Sequence, residues 1–516
     1  MLVEVWILLI ALVLAIWKYV KVKTNFFNGR NCKHDIFFPI LGSMRSLIFK
    51  NKSVMDVIIE IYEKAKGNKI YGVFENNKPS FYINDPELIR QITIKGFEHF
   101  VNHRNFLEGS GDNSIFGSSL FLMQNQKWKD MRYTLTPAFT GSRMRMMFQL
   151  IKDVATQARD YLRLQENIES GRDLDMKEFF THYTSDIIAS VAFGIEVNSL
   201  ADASHEFYIF GKSLLKFGII RSLKFFIAFN CTSLAKFLKI QLWSSNEINY
   251  FKSLVLDAMK YRTEKNILRH DMINILMEAK GMGVDENVKE SLKSSHEWTD
   301  IEIVAQCFVF FIAGFESTAT LITFVAHELM ENPEIQEKLF NEITEVQKIL
   351  DRKTLTYESL NNMKYLDMVI SETLRKWPTT PGTDRVCSKS IHFKNPDGLG
   401  DVTINAGESI FIPFIGLHRD PKYFPDPDKF DPERFSDENK QNIQGFTYLP
   451  FGVGPRACIG NRLGLLETKA ILYYLIGEFS IEPSVKSTIP LDLSGSLFQP
   501  KPKNGFWLKL RKRAEC

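Results

Sequence analysis

Phe451-Gly452-Val453-Gly454-Pro455-Arg456-Ala457-Cys458-Ile459-Gly460 is the stretch that decides how the chain is read. A loop rich in Gly and Pro leads into an apolar-periodic segment, expected to be a helix from near Ile459 on through Leu465, Leu466 and Ala470. Cys458 then falls at a helix N-terminus, where the macrodipole and unpaired backbone N–H groups stabilise a thiolate. Gly454 and Gly460 would let the backbone approach something flat and bulky without a clash. Arg456, two residues upstream, offers that ligand a fixed cation. A lone cysteine at a helix start signals little, whereas this spaced set of Phe, two Gly, Arg, Cys and Gly signals much.

Working outward, Glu372-x-x-Arg375 lies on an expected helix from Met363 to Trp377 that stops at Trp377-Pro378, and its spacing places both side chains on one face. Further upstream, Thr299 caps a long helix with Glu302 reaching back, and Asn332-Pro333 ends it. Its thirty or so residues would span roughly 45 Å, enough to cross the core of a large domain. The centre reads Ala313-Gly314-Phe315-Glu316-Ser317-Thr318, and an acid and two hydroxyls in an otherwise apolar helix point to a polar cavity in the core.

The chain has 516 residues, 45% hydrophobic and 13% aromatic, with no internal repeat, low-complexity tract or long Gly/Ser linker, so one large globular body is expected. Helical periodicity runs from about Pro86 to Glu345 and again from Ile459 to Phe479. Short strands are expected at Lys69–Phe74, Ser80–Ile83 and Ser409–Pro413. The fold class is mainly α with minor β. A net charge of +3, with both signs mixed throughout, is no footprint for nucleic acid. The six cysteines, Cys32, Cys231, Cys307, Cys387, Cys458 and Cys516, form no CxxC pair, which suits a reducing compartment.

From Leu2 to Val22 the chain is nearly all apolar, broken by Glu4, Lys18 and Lys21, and close to the ~20 residues a helix needs to span a bilayer. The basic residues Lys18, Lys21, Lys23, Arg30 and Lys33 all follow the segment's centre, so the positive-inside rule leaves the rest of the chain cytoplasmic. The expected organisation is an anchor over residues 1–23, a hinge over 24–45 and a catalytic domain over 46–516. The aromatic and basic stretch Phe217–Leu242 is a candidate second membrane contact, with core packing as the alternative.

At the Cys458 loop the sequence resembles the cytochrome P450 superfamily, whose haem-binding loop has the pattern FxxGxRxCxG. The resemblance extends to Glu372 and Arg375, which in the family form an ion-pair network with the Arg of a later segment, here Pro432-Glu433-Arg434-Phe435. Trp128-x-x-x-Arg132 is similar to the family's haem-propionate pair, Arg385 to a further propionate-binding Arg, and Ala313 to Thr318 to its oxygen-binding groove. Phe100-Val101-Asn102-His103-Arg104, Ser118-Ser119-Leu120-Phe121 and Gln126-Lys127-Trp128-Lys129-Asp130-Met131-Arg132 look like insect microsomal members of the third clan, family 9 in particular. The family commonly has Thr after the acid of this groove, where this chain has Ser317. The Pro-rich hinge usual after the anchor is reduced to Phe38-Pro39-Ile40-Leu41-Gly42.

The resemblance implies a cytochrome P450 fold behind a transmembrane anchor in the endoplasmic reticulum membrane, with haem b (iron protoporphyrin IX) as cofactor. Cys458 is then the metal ligand, and Trp128, Arg132, Arg385, Phe451 and Arg456 bind the cofactor. Glu316 with Ser317 relays protons, while Thr318, about a third of a turn further round, should point elsewhere. A thiolate ligand favours O–O cleavage, a property established for this class. No Gly-rich dinucleotide loop is present. Electrons are therefore expected from a separate NADPH–cytochrome P450 reductase, with cytochrome b5 as a further partner, docking at Lys127, Lys129, Arg143 and Arg145. The expected function is monooxygenation of lipophilic substrates with O2, xenobiotics foremost. The alternatives are a dedicated hormone or fatty-acid hydroxylase and, from another class, a haem-binding protein without turnover.

Overall fold

The computed structural model describes residues 2–105, 115–216, 218–267, 269, 271–282, 297–351, 353–494 and 502–514; Phe217 and Cys516 therefore lie outside the described residues. The five described cysteines are all free.

Helix α1, Leu2–Thr24, leads the chain. At 1.5 Å per residue it is about 34 Å long, and Trp6, Ile10, Val13 and Trp17 are all exposed. Residues 24–45, expected as a hinge, are built into the body. Phe27 is buried against Phe74 and Phe81, and Arg30 grips Glu408 through two hydrogen bonds of 2.7 and 3.2 Å. Strand β1, Lys33–His34, pairs in parallel with β2, Ile70–Glu75. With β3 (Lys78–Ile83), β4 (Thr383–Val386) and β5 (Ser409–Ile412), these strands form one five-stranded sheet in the order β1-β2-β3-β5-β4. The all-buried pattern of β2 reflects cover on both faces, so alternation was absent from its sequence.

The remainder is mostly helical. Helices α2 (Asn125–Leu135), α3 (Gly141–Arg163) and α4 (Met176–Ile188) precede the pair α5 (Ile219–Asn230) and α6 (Thr232–Phe237). The described part of the stretch Phe217–Leu242 has both cavity-lining and exposed apolar side chains. Phe225, Phe226 and Phe229 line an internal chamber, while Ile219, Ile220 and Phe237 are exposed.

Helix α7, Asp300–Glu331, crosses the core for 32 residues, or about 48 Å. The expected capping box is present: Thr299 Oγ1 accepts from the Glu302 N–H, and the Glu302 carboxylate accepts from the Thr299 N–H at 2.9 Å. Phe311 sits in an aromatic cluster with Phe207, Phe251 and Phe315 at ring separations of 5.2, 4.9 and 5.1 Å. Helix α7 packs most closely on α4. A Cβ on Gly314 would fall 2.5 Å from Ile188 Cδ1, so this mid-helix glycine buys the approach of the two helices. Two further helices matter for the site: α8, Lys364–Lys376, and α9, Asn461–Glu478.

Candidate active site

The loop before α9 holds Cys458 by backbone bonds: its N–H donates to the Phe451 carbonyl at 2.8 Å, and the Ala457 N–H to the Gly454 carbonyl at 2.9 Å. Helix α9 starts at Asn461 with Gly460 as cap, later than the expected start near Ile459, so Cys458 stands two residues ahead of the cap. The Gly460 N–H still reaches the Cys458 sulfur. Burial raises the thiol above its ordinary range, while that N–H and the Arg132 charge pull it down. The sulfur is accessible to the cavity it faces and otherwise surrounded by protein. The reason for Gly454 differs from the sequence expectation. Its φ is +74°, and a Cβ there would lie 2.3 Å from the Thr93 carbonyl oxygen, so protein backbone demands the glycine. Gly460 does face the cavity.

That inner cavity, about 140 Å³, is walled by Cys458, Phe451, Gly460 and, from α7, Ala313, Ser317 and Thr318. Ser317 Oγ donates back to the Ala313 carbonyl at 2.5 Å. Thr318, expected to point elsewhere, borders the same cavity, because the cavity wraps around that side of α7. Glu467 on α9 lines the same wall, and the Thr318 hydroxyl favours its ionised form. Glu467 is 1% exposed, and burial pushes its carboxyl up to about 8, the Thr318 hydroxyl offsetting part of the effect. Its Oε2 has no protein donor among the described residues. Glu316 is turned to α4: Lys177 Nζ lies 2.9 Å from its carboxylate and 2.8 Å from Thr320 Oγ1. Glu467 was not singled out from sequence. Its one signal was an acid set among Leu465, Leu466, Ala470 and Ile471.

Near the Cys458 loop, three cationic side chains converge. Arg456 lies 4.0 Å over the Trp128 ring and donates to the carbonyls of Val101 at 2.8 Å and Met123 at 2.7 Å. Arg385 donates to Thr383 Oγ1 at 2.8 Å and approaches His103 Nδ1 at 3.3 Å. Arg132 has no carboxylate partner among the described residues. Asp384, whose charge acts on Arg385 and Arg456, is occupied by His103 at 3.1 Å and by the Arg104 N–H at 2.7 Å. Burial and then the mutual repulsion of Arg385 and Arg132 lower Arg456, and burial lowers Arg385 and Arg132. Burial, with Arg385 beside it, holds His103 down at about 4 and so neutral. A guanidinium does not surrender its proton, so the crowding is a cost that anions would relieve. His103 was quoted in a sequence likeness but given no role.

Behind the loop, Glu372 and Arg375 are both fully buried and joined bidentately at 2.7 and 2.8 Å. Arg434 approaches Glu372 at 3.5 Å. Breaking a buried pair of this kind costs about 3–5 kcal/mol, unlike a surface pair. Arg375 also donates to the His418 carbonyl at 3.0 Å, and His418 Nε2 accepts from the Leu449 N–H at 2.8 Å. The ion pair is thereby wired to the chain two residues ahead of Phe451.

A thiol that opens on a cavity, Ser317 and Thr318 on the same cavity's wall and guanidinium groups without carboxylate partners nearby suit a flat prosthetic group that carries carboxylates and takes a sulfur ligand. The chain belongs to the cytochrome P450 family, whose family model matches residues 35–507. It is 48% identical over 503 residues to "Probable cytochrome P450 9f2" of Drosophila melanogaster, covering 96% of this chain and 97% of that one. It is 40% identical to "Cytochrome P450 9c1" of the same organism, over 99% of both chains. It is 39% identical to "Cytochrome P450 9e2" of Blattella germanica, over 98% of this chain and 97% of that one. The family is one of haem-iron monooxygenases, and the thiol and nearby cations fit an iron porphyrin with two propionates.

Proposed function

We propose that the chain is a haem b monooxygenase that inserts one oxygen atom of O2 into lipophilic substrates, xenobiotics foremost, with Cys458 as the axial ligand. The observation that carries this reading is that Cys458, Ser317 and Thr318 border one small cavity. When bound, the haem supplies iron-centred activation of dioxygen and oxygen transfer to substrate. Arg132, Arg385 and Arg456, with Trp128 beneath Arg456, would hold the propionates, and His103 braces Arg385. Phe451 lines the same cavity, whose mainly apolar wall keeps bulk water out.

Two carboxyls bracket the hydroxyls. Glu467, protonated near neutral pH, is placed to donate through Thr318. Glu316, parked on Lys177, reaches Ser317 only by changing rotamer. Electrons come from NADPH–cytochrome P450 reductase, with cytochrome b5 as a second donor. Lys129 and Arg145 suit that docking, since their pairs with the exposed Glu98 and Glu358 are surface pairs of about 0–1 kcal/mol and exchange readily. Lys127 is committed to Glu302 at the α7 cap and suits it less. Helix α1 anchors the chain in the endoplasmic reticulum membrane with the domain on the cytoplasmic side. The exposed face of α5 and α6 makes a second contact.

The test is turnover by purified holoenzyme with reductase and NADPH across a panel of lipophilic compounds. Oxidised product that depends on reductase supports the reading. Haem binding with no product and no reductase-dependent NADPH consumption identifies a binding protein instead.

A further inference from the structure

A wide polar cavity of about 1490 Å³ lies among α3, the helix Pro333–Leu350, the C-terminal end of α9 and the strand Trp507–Lys512. None of its lining residues borders the inner cavity that Cys458 faces. Tyr473 and Tyr474 on its wall stand twelve and thirteen residues past the start of α9, about 18–20 Å along that helix. Among the described residues its lining carries seven Lys or Arg side chains against three Asp or Glu, so the wall is cationic.

Pairing inside the cavity leaves that excess in place. Arg159 and Arg163 are engaged by Asp160 and Glu478, Lys512 by Glu169 and Arg513 by Glu337. The Asp153 carboxylate accepts from the Gln149 side chain at 2.7 Å. Lys152 on α3, and Lys348 and Lys353 at the far end of the helix Pro333–Leu350, have no carboxylate within 4.0 Å among the described residues. Asp351 is the lining acid with no cation within that distance. Three unpaired amines thus share the space with one unpaired carboxylate. The carbonyls at the end of Pro333–Leu350 favour Lys348, but Lys152 comes from another helix and is half-buried. The aromatic wall adds cations rather than a bare apolar face: Arg159 stands 5.2 Å over the Tyr474 ring and Arg513 3.9 Å over Phe340.

We propose that this cavity binds a compact polyphosphate, a small molecule or headgroup bearing several phosphate groups close together. Lysine serves phosphate as a point charge and needs no fixed approach. Amines on two helices and a space far larger than one phosphate suit several such groups at once. Lys152, Lys348 and Lys353 meet them first. Lys512 can join by leaving Glu169, an exposed partner that water replaces readily. The ringed arginines leave no wall for an apolar tail. The proposal is independent of the monooxygenase reading, because the site touches neither Cys458 nor the cavity beside it.

The test is calorimetric titration of inositol hexakisphosphate into the full-length holoenzyme in phosphatidylcholine nanodiscs at fixed salt. Lys152→Gln/Lys348→Gln/Lys353→Gln is expected to bind about tenfold more weakly than the parent. Lys152→Arg/Lys348→Arg/Lys353→Arg is expected to bind as the parent does. Haem content, which this cavity does not touch, should be equal in all three. Equal affinity in parent and Gln variant overturns the proposal, and so does equal loss in the Gln and Arg variants. If poly-glutamate displaces the probe from the parent with the same dependence on the lysines, the face serves acidic protein segments and the polyphosphate assignment falls. Competition by nanodiscs containing phosphatidylinositol 4,5-bisphosphate supports the proposal with a lipid headgroup as the source. Unchanged binding in those nanodiscs supports it with a soluble polyphosphate.

Discussion

Thr318 of the core-crossing helix α7 and Glu467 of the helix that follows the cysteine line one wall of the cavity that Cys458 faces, with the Thr318 hydroxyl favouring the ionised Glu467 carboxyl. Glu467 is raised to about 8, so between about 4.5 and 8 the unfolded chain ionises this group while the folded chain keeps it protonated. Its contribution to stability is complete below the unfolded value and is lost as pH rises through the folded one. Glu467→Gln is expected to stabilise the protein by about 1–3 kcal/mol at pH 8 with little effect at pH 4. It should also lower product formed per NADPH. Denaturant midpoints of parent and variant across that range check the first part, and a pH-independent difference would contradict it.

Ser317 donates to Ala313 of the preceding turn, a bond that withdraws its hydroxyl from the cavity. Thr carries a methyl that restricts the rotamer. Ser317→Thr is therefore expected to raise product per NADPH consumed, and Ser317→Ala to lower it with more peroxide released, both at unchanged haem content. If Ser317→Ala couples as well as the parent, the Thr318–Glu467 pair carries the relay without Ser317.

His418 transmits the buried Glu372–Arg375 pair to the cysteine loop by accepting from Leu449. Burial holds its imidazole down at about 3, so it is neutral and able to accept. His418→Leu leaves the Leu449 N–H without its acceptor, at a cost of about 1–3 kcal/mol. Urea denaturation should show that loss, together with a larger fraction of haem lacking thiolate ligation. Unchanged ligation would confine His418 to a structural role.

Deleting residues 2–23 is expected to release much of the protein from membranes, with the haem site intact. Replacing Ile219, Ile220 and Phe237 by Ser in the shortened chain should release the remainder. Flotation of each form on sucrose gradients checks this, and full retention of the double-modified protein would contradict both contacts.

Much of this site was legible because its signals are local. The Cys458 loop, the Glu372–Arg375 spacing and the Thr299–Glu302 cap are each set by residues within ten positions of one another. What was not legible depends on partners distant in sequence. Lys177, 139 residues upstream, turns Glu316 away from the cavity. Thr318 faces the same space as Ser317 because of what packs around α7, which helix phase alone does not report. Gly454 answers to the Thr93 carbonyl and Gly314 to Ile188, neither of which spacing could name. Residues 24–45 read as a hinge because a two-residue strand and two buried Phe carry no periodicity.

The most direct measurement of the central claim is the absorption spectrum of the ferrous carbonyl complex of Cys458→His. Imidazole ligates iron but supplies less electron density than thiolate. The variant is expected to retain haem, lose the red-shifted Soret band and lose product formation. Persistence of that band in the variant would contradict the assignment of Cys458 as the iron ligand.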